Sequence, residues 1–149
     1  MERLDIIGGF GLIGTSIKEV AYNLDIKTWG INSNSYGYFD LLDEKSWEGF
    51  FKSCPKKIIL LAWPGLPNYQ EEFHISQNLK MSKIFLKRLF KQGFEKIVIA
   101  GTCYEYGLLE GELEESFKTF PVTKYGIAKD QLRIFLEKKA KNNSFNWCW

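Results

Sequence analysis

Cysteine is scarce in this chain and cannot pair off: Cys54, Cys103 and Cys148 are odd in number, and no C-x-x-C occurs. That disfavours both a disulfide framework and a zinc site, and no metal is expected. No apolar run reaches the ~18 residues of a membrane-spanning helix. The first strand-like run begins almost at Met1, which leaves no room for a signal peptide. A reduced, cytoplasmic protein is expected. Charge of one sign is lacking too. With 20 Lys and Arg against 18 Asp and Glu, the formal net charge is +2, which calls for neither nucleic acid nor a membrane surface. Lys56-Lys57 and Lys138-Lys139 read as solvated faces. There is no internal repeat and no low-complexity stretch.

What is present is enough apolar sequence for one domain, 45% of 149 residues, arranged in alternating short runs and helical periods. Strand-like runs fall at Leu4–Ile7, Thr28–Asn32, Tyr38–Asp40, Lys57–Ala62, Lys96–Ala100 and Phe145–Trp149. Helical patterns cover about Leu12–Leu24, a segment capped by Asp43 with Trp47, Phe50 and Phe51 on one face, about Glu71–Lys91, and a segment capped by Thr123 that ends at Asn142 and Asn143. Trp63-Pro64-Gly65-Leu66-Pro67 is a loop, and Leu108–Phe120 is acidic and loop-like. Strand and helix alternating with short connections predict an α/β fold. Its sheet is parallel and doubly wound, three layers α/β/α, with both faces covered and most aromatics in the core.

The most informative stretch is Gly8-Gly9-Phe10-Gly11-Leu12-Ile13-Gly14. It lies between the first strand and the first helix, whose apolar face is Ile13, Ile17, Val20, Ala21 and Leu24. Gly8 and Gly11 permit a sharp turn and close approach to a pyrophosphate, Gly14 permits tight helix–strand packing, and the helix N-terminus supplies N–H groups. Gly8, Asp40, Ala62 and Thr102 all fall at predicted C-terminal strand ends, the rim where such sheets bind ligands. Tyr125 and Lys129 sit one helical turn apart. An ammonium beside a phenol favours phenolate, so the pair can act as a general acid/base. Alone, such a pair is more often a surface tyrosine beside a surface lysine. Thr102, at the end of a buried strand, can donate to the oxygen that Tyr125 addresses, or satisfy its own turn.

Together with Asp40-Leu41, Leu61-Ala62, Asn78, Gly101-Thr102-Cys103-Tyr104-Glu105-Tyr106-Gly107 and Pro121–Lys129, these pieces resemble the N-terminal half of the NAD-dependent epimerase/dehydratase family, the extended short-chain dehydrogenases/reductases. The resemblance implies a Rossmann-like dinucleotide-binding domain over residues 1–149, truncated before the C-terminal substrate domain. It implies that Gly8, Gly11 and Gly14 form the pyrophosphate loop, that Asp40 lies by the adenine, that Ala62 and Trp63 run past the cofactor, and that Phe10, Leu12, Ile13, Leu41 and Leu61 also bind it. Asn78 would support the site, Thr102 would orient the substrate oxygen, and Tyr125 would be the acid/base. Lys129 would hold the nicotinamide ribose and lower the tyrosine pKa.

No acidic residue ends the second strand. Asn32 and Ser33 stand there with no arginine beside them, so NAD and NADP both remain open. Cys103 and Tyr104 replace the Asp-Glu pair of the 4,6-dehydratases, which points toward epimerisation or keto-sugar reduction of a nucleotide sugar, in the branch that makes deoxy-sugars for surface polysaccharides. Pairing of two family subunits would use the helices at about Glu71 and at Tyr125, giving a homodimer if the domain folds. The rival readings are a catalytically incompetent remnant that still binds dinucleotide, and a scaffold.

Overall fold

A computed structural model describes residues 1–32, 34–142 and 145–149. Its strands are β1 (Arg3–Ile7), β2 (Asp25–Gly30), β3 (Gly37–Tyr38), β4 (Lys57–Leu60), β5 (Lys96–Ile99) and β6 (Asn146–Cys148). Its helices are α1 (Leu12–Val20), α2 (Glu48–Lys52), α3 (Lys80–Gln92) and α4 (Lys124–Ala140). All strand pairs are parallel and the order is β3-β2-β1-β4-β5-β6. The order reverses at β1, between β2 and β4, so the C-terminal ends of β1, β2 and β4 open a crevice on one rim.

Register assigns the faces. Asp5, Ile58, Ile97 and Trp147 are cross-strand partners, as are Ile7, Leu60 and Ile99. Period-two alternation sends them to one side, where Ile58, Leu60, Ile97 and Ile99 join Phe50, Phe85, Leu86, Leu89, Leu132 and Leu136 in the core. That side is therefore covered by α2, α3 and α4. Each fully buried large apolar side chain there contributes about 1.5–3 kcal/mol. Phe39, Trp47, Phe50 and Phe85 meet mostly edge to face at 5.3–5.7 Å; Phe39 and Trp47 are stacked at 6.1 Å.

Ile6, Ile59, Val98 and Cys148 form a row on the opposite side. There α1 lies over β1 and β2: a Cβ on Gly14 would sit 2.6 Å from Gly9 Cα, and one on Gly9 would sit 2.8 Å from Thr28 Cγ2. Ile6 is fully buried, whereas Val98 is 41% exposed. The expectation of a sheet covered on both faces holds on this side only for the β1–β2 half. The apolar face read for the first helix is only partly inside. Ile13 and Val20 are exposed, Ile17, Ala21 and Leu24 are half-buried, and within the helix only Gly14 is buried, because the helix touches the sheet through its glycine.

Several bounds move. The first helix stops at Val20, not Leu24. β2 starts at Asp25 and ends at Gly30, since Asp25–Trp29 pair one-for-one with Arg3–Ile7 and Gly30 pairs with Tyr38, and its charged residues are tied by a Lys27–Asp25 ion pair at 3.1 Å. The helix expected from Glu71 instead opens with a π turn, His74–Leu79, that runs into α3. Asp43 caps as expected, accepting from Lys45 N at 3.1 Å, but on a 3-10 turn (Glu44–Trp47) that leads into α2. Thr123 caps α4 by accepting from Gly126 N at 2.9 Å. Of the two asparagines expected to end that helix, Asn142 lies past it in a turn and Asn143 is outside the described residues.

Candidate functional site

Gly8 has φ +84, a conformation that favours glycine, and its missing Cβ would lie 2.7 Å from Ala62 N. Its N–H donates to Trp29 O at 2.8 Å, and Gly11 N–H donates to Gly8 O at 3.3 Å. The turn is thus pressed between β2 and β4. Gly11 is the N-cap of α1 and has no side chain with which to cap it, so the first-turn N–H groups face outward at the positive end of the helix dipole. A cleft of about 170 Å³ opens here, bordered by Gly8, Phe10, Gly11, Trp29, Ile31 and Asn32. Phe10 is 37% exposed, with Lys18 Nζ 4.2 Å above its ring. These features fit a dinucleotide: backbone with no side chain in the way, free donors, and room at the switch point of the sheet.

The sequence-predicted neighbours of that cleft divide. Asn32 borders it two residues past β2, and its Oδ1 accepts from Asn34 N at 2.9 Å. Ser33 lies outside the described residues. Asp40 falls past the end of β3, not in it. Its Oδ1 accepts from Leu42 N at 2.9 Å and its backbone is bonded to Ser46, so its carboxylate serves its own turn. The Leu41 side chain belongs to the core, 2% exposed. Leu61 and Ala62 follow β4 and donate to Ile7 O at 2.9 and 3.2 Å. Leu12 and Ile13 present backbone at the start of α1, with exposed side chains.

Thr102, Tyr125 and Lys129 come together on the same rim. Thr102 caps the 3-10 turn Cys103–Tyr106, where its Oγ1 accepts from Tyr104 N at 3.3 Å. The Thr102 hydroxyl neighbours the Tyr125 phenol and favours its ionised form. Tyr125 is 7% exposed, and its ring is boxed by Trp63 (5.9 Å), His74 (5.4 Å), Tyr69 (5.7 Å) and Tyr104 (6.1 Å). Lys129 is 3% exposed. Its Nζ donates to Ala100 O at 2.7 Å and sits 4.1 Å from the Trp63 ring centroid.

Burial pushes the Lys129 ammonium down to about 7, with the Glu105 charge opposing. Burial also pushes the Tyr125 phenol up, against the neighbouring Thr102 hydroxyl. The expectation that Lys129 lowers the tyrosine is not met in this state. The side chain is turned to Ala100 and Trp63, and desolvation dominates.

Behind this triad His74, which the residue patterns did not single out, joins Trp63 and Asn78, which they did. His74, the only histidine of the chain, is fully buried. Trp63 Nε1–H donates to its Nδ1 at 3.0 Å, so Nδ1 is an acceptor and Nε2–H donates to Asn68 O at 2.9 Å. Burial lowers its pKa, which keeps it neutral. Asn78, on the same π turn, donates to Pro64 O at 2.8 Å, while its buried Oδ1 finds no partner among the described residues. Trp63, His74 and Asn78 thus brace the loop that walls Lys129. The only cue was a lone histidine four residues before Asn78. A larger cleft of about 520 Å³ lies away from the glycine turn, along Tyr106, Phe117, Arg133 and Trp147.

A parallel sheet whose order reverses at β1, with a glycine turn on that rim and a Thr-Tyr-Lys set two strands over, defines a doubly wound α/β domain of the Rossmann-like kind. The sequence profile of the NAD dependent epimerase/dehydratase family matches residues 5–149, and the chain belongs to that family. Over 76 residues it is 32% identical to dTDP-6-deoxy-L-talose 4-dehydrogenase (NAD(+)) of Aggregatibacter actinomycetemcomitans, a match covering 51% of this chain and 28% of that protein. Its fold is similar to UDP-glucose 4-epimerase of Thermus thermophilus in complex with NAD. There the TM-score is 0.79 and the identity 21%, over 97% of this chain and 53% of that one. It is also similar to the UDP-Glc/GlcNAc 4-epimerase of Campylobacter jejuni, at TM-score 0.83 and 17% identity, over 99% and 52%. The chain therefore spans about half the length of these structures, and less of the curated relative.

Proposed function

We propose that this chain binds NAD across the Gly8–Gly14 turn and acts in a nucleotide-sugar epimerase or keto-sugar reductase, with Tyr125 as acid/base. The observation that carries this reading is the gathering of Thr102 with the buried Tyr125 and Lys129 on the rim that holds the glycine turn. Gly8, Gly11 and the first N–H groups of α1 hold the pyrophosphate, Asn32 borders the adenosine end, and Trp63 lines the path between. Bound there, the nicotinamide supplies hydride acceptance and return. Thr102 would orient a sugar oxygen, Tyr125 would hold or take its proton, and Lys129 would hold the ribose. Cys103 and Tyr104 offer no carboxylate for water elimination. The NAD(+)-dependent relative acts on a deoxy-sugar nucleotide, which supports NAD over NADP and that substrate class. Three free, exposed cysteines suit a reducing cytoplasm. The assembly proposed is a homodimer through α3 and α4.

A binding-only domain is the second reading, favoured by Lys129, whose Nζ is engaged by Ala100 O at 2.7 Å. Titration with NADH by fluorescence, then an assay with a panel of nucleotide sugars, separates the two. Turnover lost in Tyr125→Phe with cofactor affinity retained supports the enzyme. Binding without turnover supports the second reading, and absence of binding overturns both.

A further inference from the structure

Glu105 is a charged residue buried where the proposed chemistry does not use it, 3% exposed. Its carboxylate gathers three elements. Oε1 accepts from Thr102 N at 2.9 Å, closing a capping box on the turn that aims the Thr102 hydroxyl. Both oxygens accept from Trp149 Nε1 just past β6, at 2.9 and 3.0 Å. Arg133 Nε on α4 lies 3.3 Å from Oε2. The Trp149 indole in turn packs on Gly101, where a Cβ would sit 2.4 Å from Nε1, and lies 5.7 Å from Lys129 Nζ.

A plain capping box needs only the bond to Thr102 N and is at home on a surface. This one is buried: burial pushes the Glu105 carboxyl up, and the Trp149, Thr102 and Arg133 donors oppose that and hold the charge where three elements meet. We propose that Glu105 is a positioning residue of the site. Its carboxylate locks Thr102 against α4 and β6 and sets a buried negative charge one indole, that of Trp149, away from Lys129. The idea rests on the enzyme reading for its purpose but not for its physics.

The groups around Lys129 leave the role to Glu105. β4, β5 and β6 contribute the Trp63 ring, the Ala100 carbonyl and the Trp149 ring, none of them titratable. The π turn contributes His74, which is neutral and raises nothing. On α4 itself stand Tyr125, a neutral phenol, and Asp130, which is held by Arg133 at 2.6 Å. Glu105 is the carboxylate whose charge raises Lys129 against its burial.

The test is lysine-Cε 13C NMR on the full chain across pH, the Lys129 signal being identified by its loss in Lys129→Met. In wild type its midpoint lies near 7. In Glu105→Gln, which keeps an oxygen for Thr102 N, the midpoint falls by about one pH unit or more. A folded Glu105→Gln with an unmoved midpoint overturns the proposal. Should that variant not fold, wild type decides: Lys129 and a labelled Glu105 carboxyl titrate as a coupled pair, each curve showing the other's inflection, and independent single steps overturn it. A purely structural Glu105 would change melting and leave both readouts in place. If wild type binds no NADH, the enzyme reading fails while these titrations still stand. If turnover is found, Glu105→Gln lowers kcat at least about tenfold with KM little changed, and moves the pH profile with the Lys129 midpoint.

Discussion

Replacing Lys129 by methionine tests the buried ammonium directly. Its pKa drops from 10.5 to about 7 because desolvation outweighs the Glu105 charge. At about 1.4 kcal/mol per pH unit, holding the charge inside costs about 5 kcal/mol once pH is below the folded value. The sign follows from proton counting. Between 7 and 10.5 the unfolded chain binds this proton and the folded chain does not, so stability rises with pH across that window and the penalty is complete below it. Methionine fills the same space and removes the penalty, but leaves Ala100 O without the 2.7 Å donor, a loss of about 1–3 kcal/mol. The net expectation is a variant more stable than wild type at pH 7 by about 2 kcal/mol, an advantage that shrinks and reverses toward pH 10. Urea unfolding at pH 7, 8 and 9 measures this, and the difference between the two proteins cancels the tyrosine and cysteine titrations they share. A difference that stays constant over that range, or a variant already weaker at pH 7, would refute the reasoning. The same substitution removes a proposed site residue, so stability and chemistry pull in opposite directions here.

Other consequences are open to simpler assays. Gly14→Ala sets a methyl 2.6 Å from Gly9 Cα, so α1 must lift. A loss of about 1–3 kcal/mol in thermal unfolding is expected, with NADH binding weakened as the N–H groups move away. His74 has its pKa lowered by burial below the ordinary 6.5. As pH falls through 6.5 the unfolded chain takes up that proton first, so wild type loses stability from there down to the folded value, and His74→Gln, followed by urea unfolding at pH 5.5 and 7, lacks that loss. Val98→Lys, on the half-covered face, changes stability by within about 0.5 kcal/mol, whereas Ile97→Lys, 1% exposed one residue earlier, costs more than about 4 kcal/mol. Similar melting curves for those two variants would contradict the face assignment.

Most of the scaffold could be read from residues alone, because Ile58–Leu60 and Ile97–Ile99 are apolar on both sides and the glycines at 8, 11 and 14 sit between a strand and a helix. The start of β2 is hidden because its Asp25 and Lys27 are charged, and their pairing to each other is a through-space fact. Asp40 reads as part of β3 because Tyr38-Phe39 looks extended, yet its carboxylate folds back on Leu42. The meeting of Thr102 with Tyr125 was legible, since both fall where the winding rule brings strand ends together. Glu105 and His74 were not. One appears as an ordinary acidic turn residue and the other as an isolated ring, and only burial on every side turns them into parts of the site. The fate of Lys129 escapes the sequence for the same reason, as desolvation has no signature in spacing.

The contact of Gly8 with Ala62 has a consequence for assembly in time. The turn at 8–14 is local in sequence, but its shape depends on a strand more than fifty positions away, through the Ile7↔Leu60 pairing. Parallel pairings of that span form slowly. A refolding chain should therefore show helical signal before it can retain a dinucleotide, and cofactor fluorescence should lag circular dichroism in a stopped-flow trace.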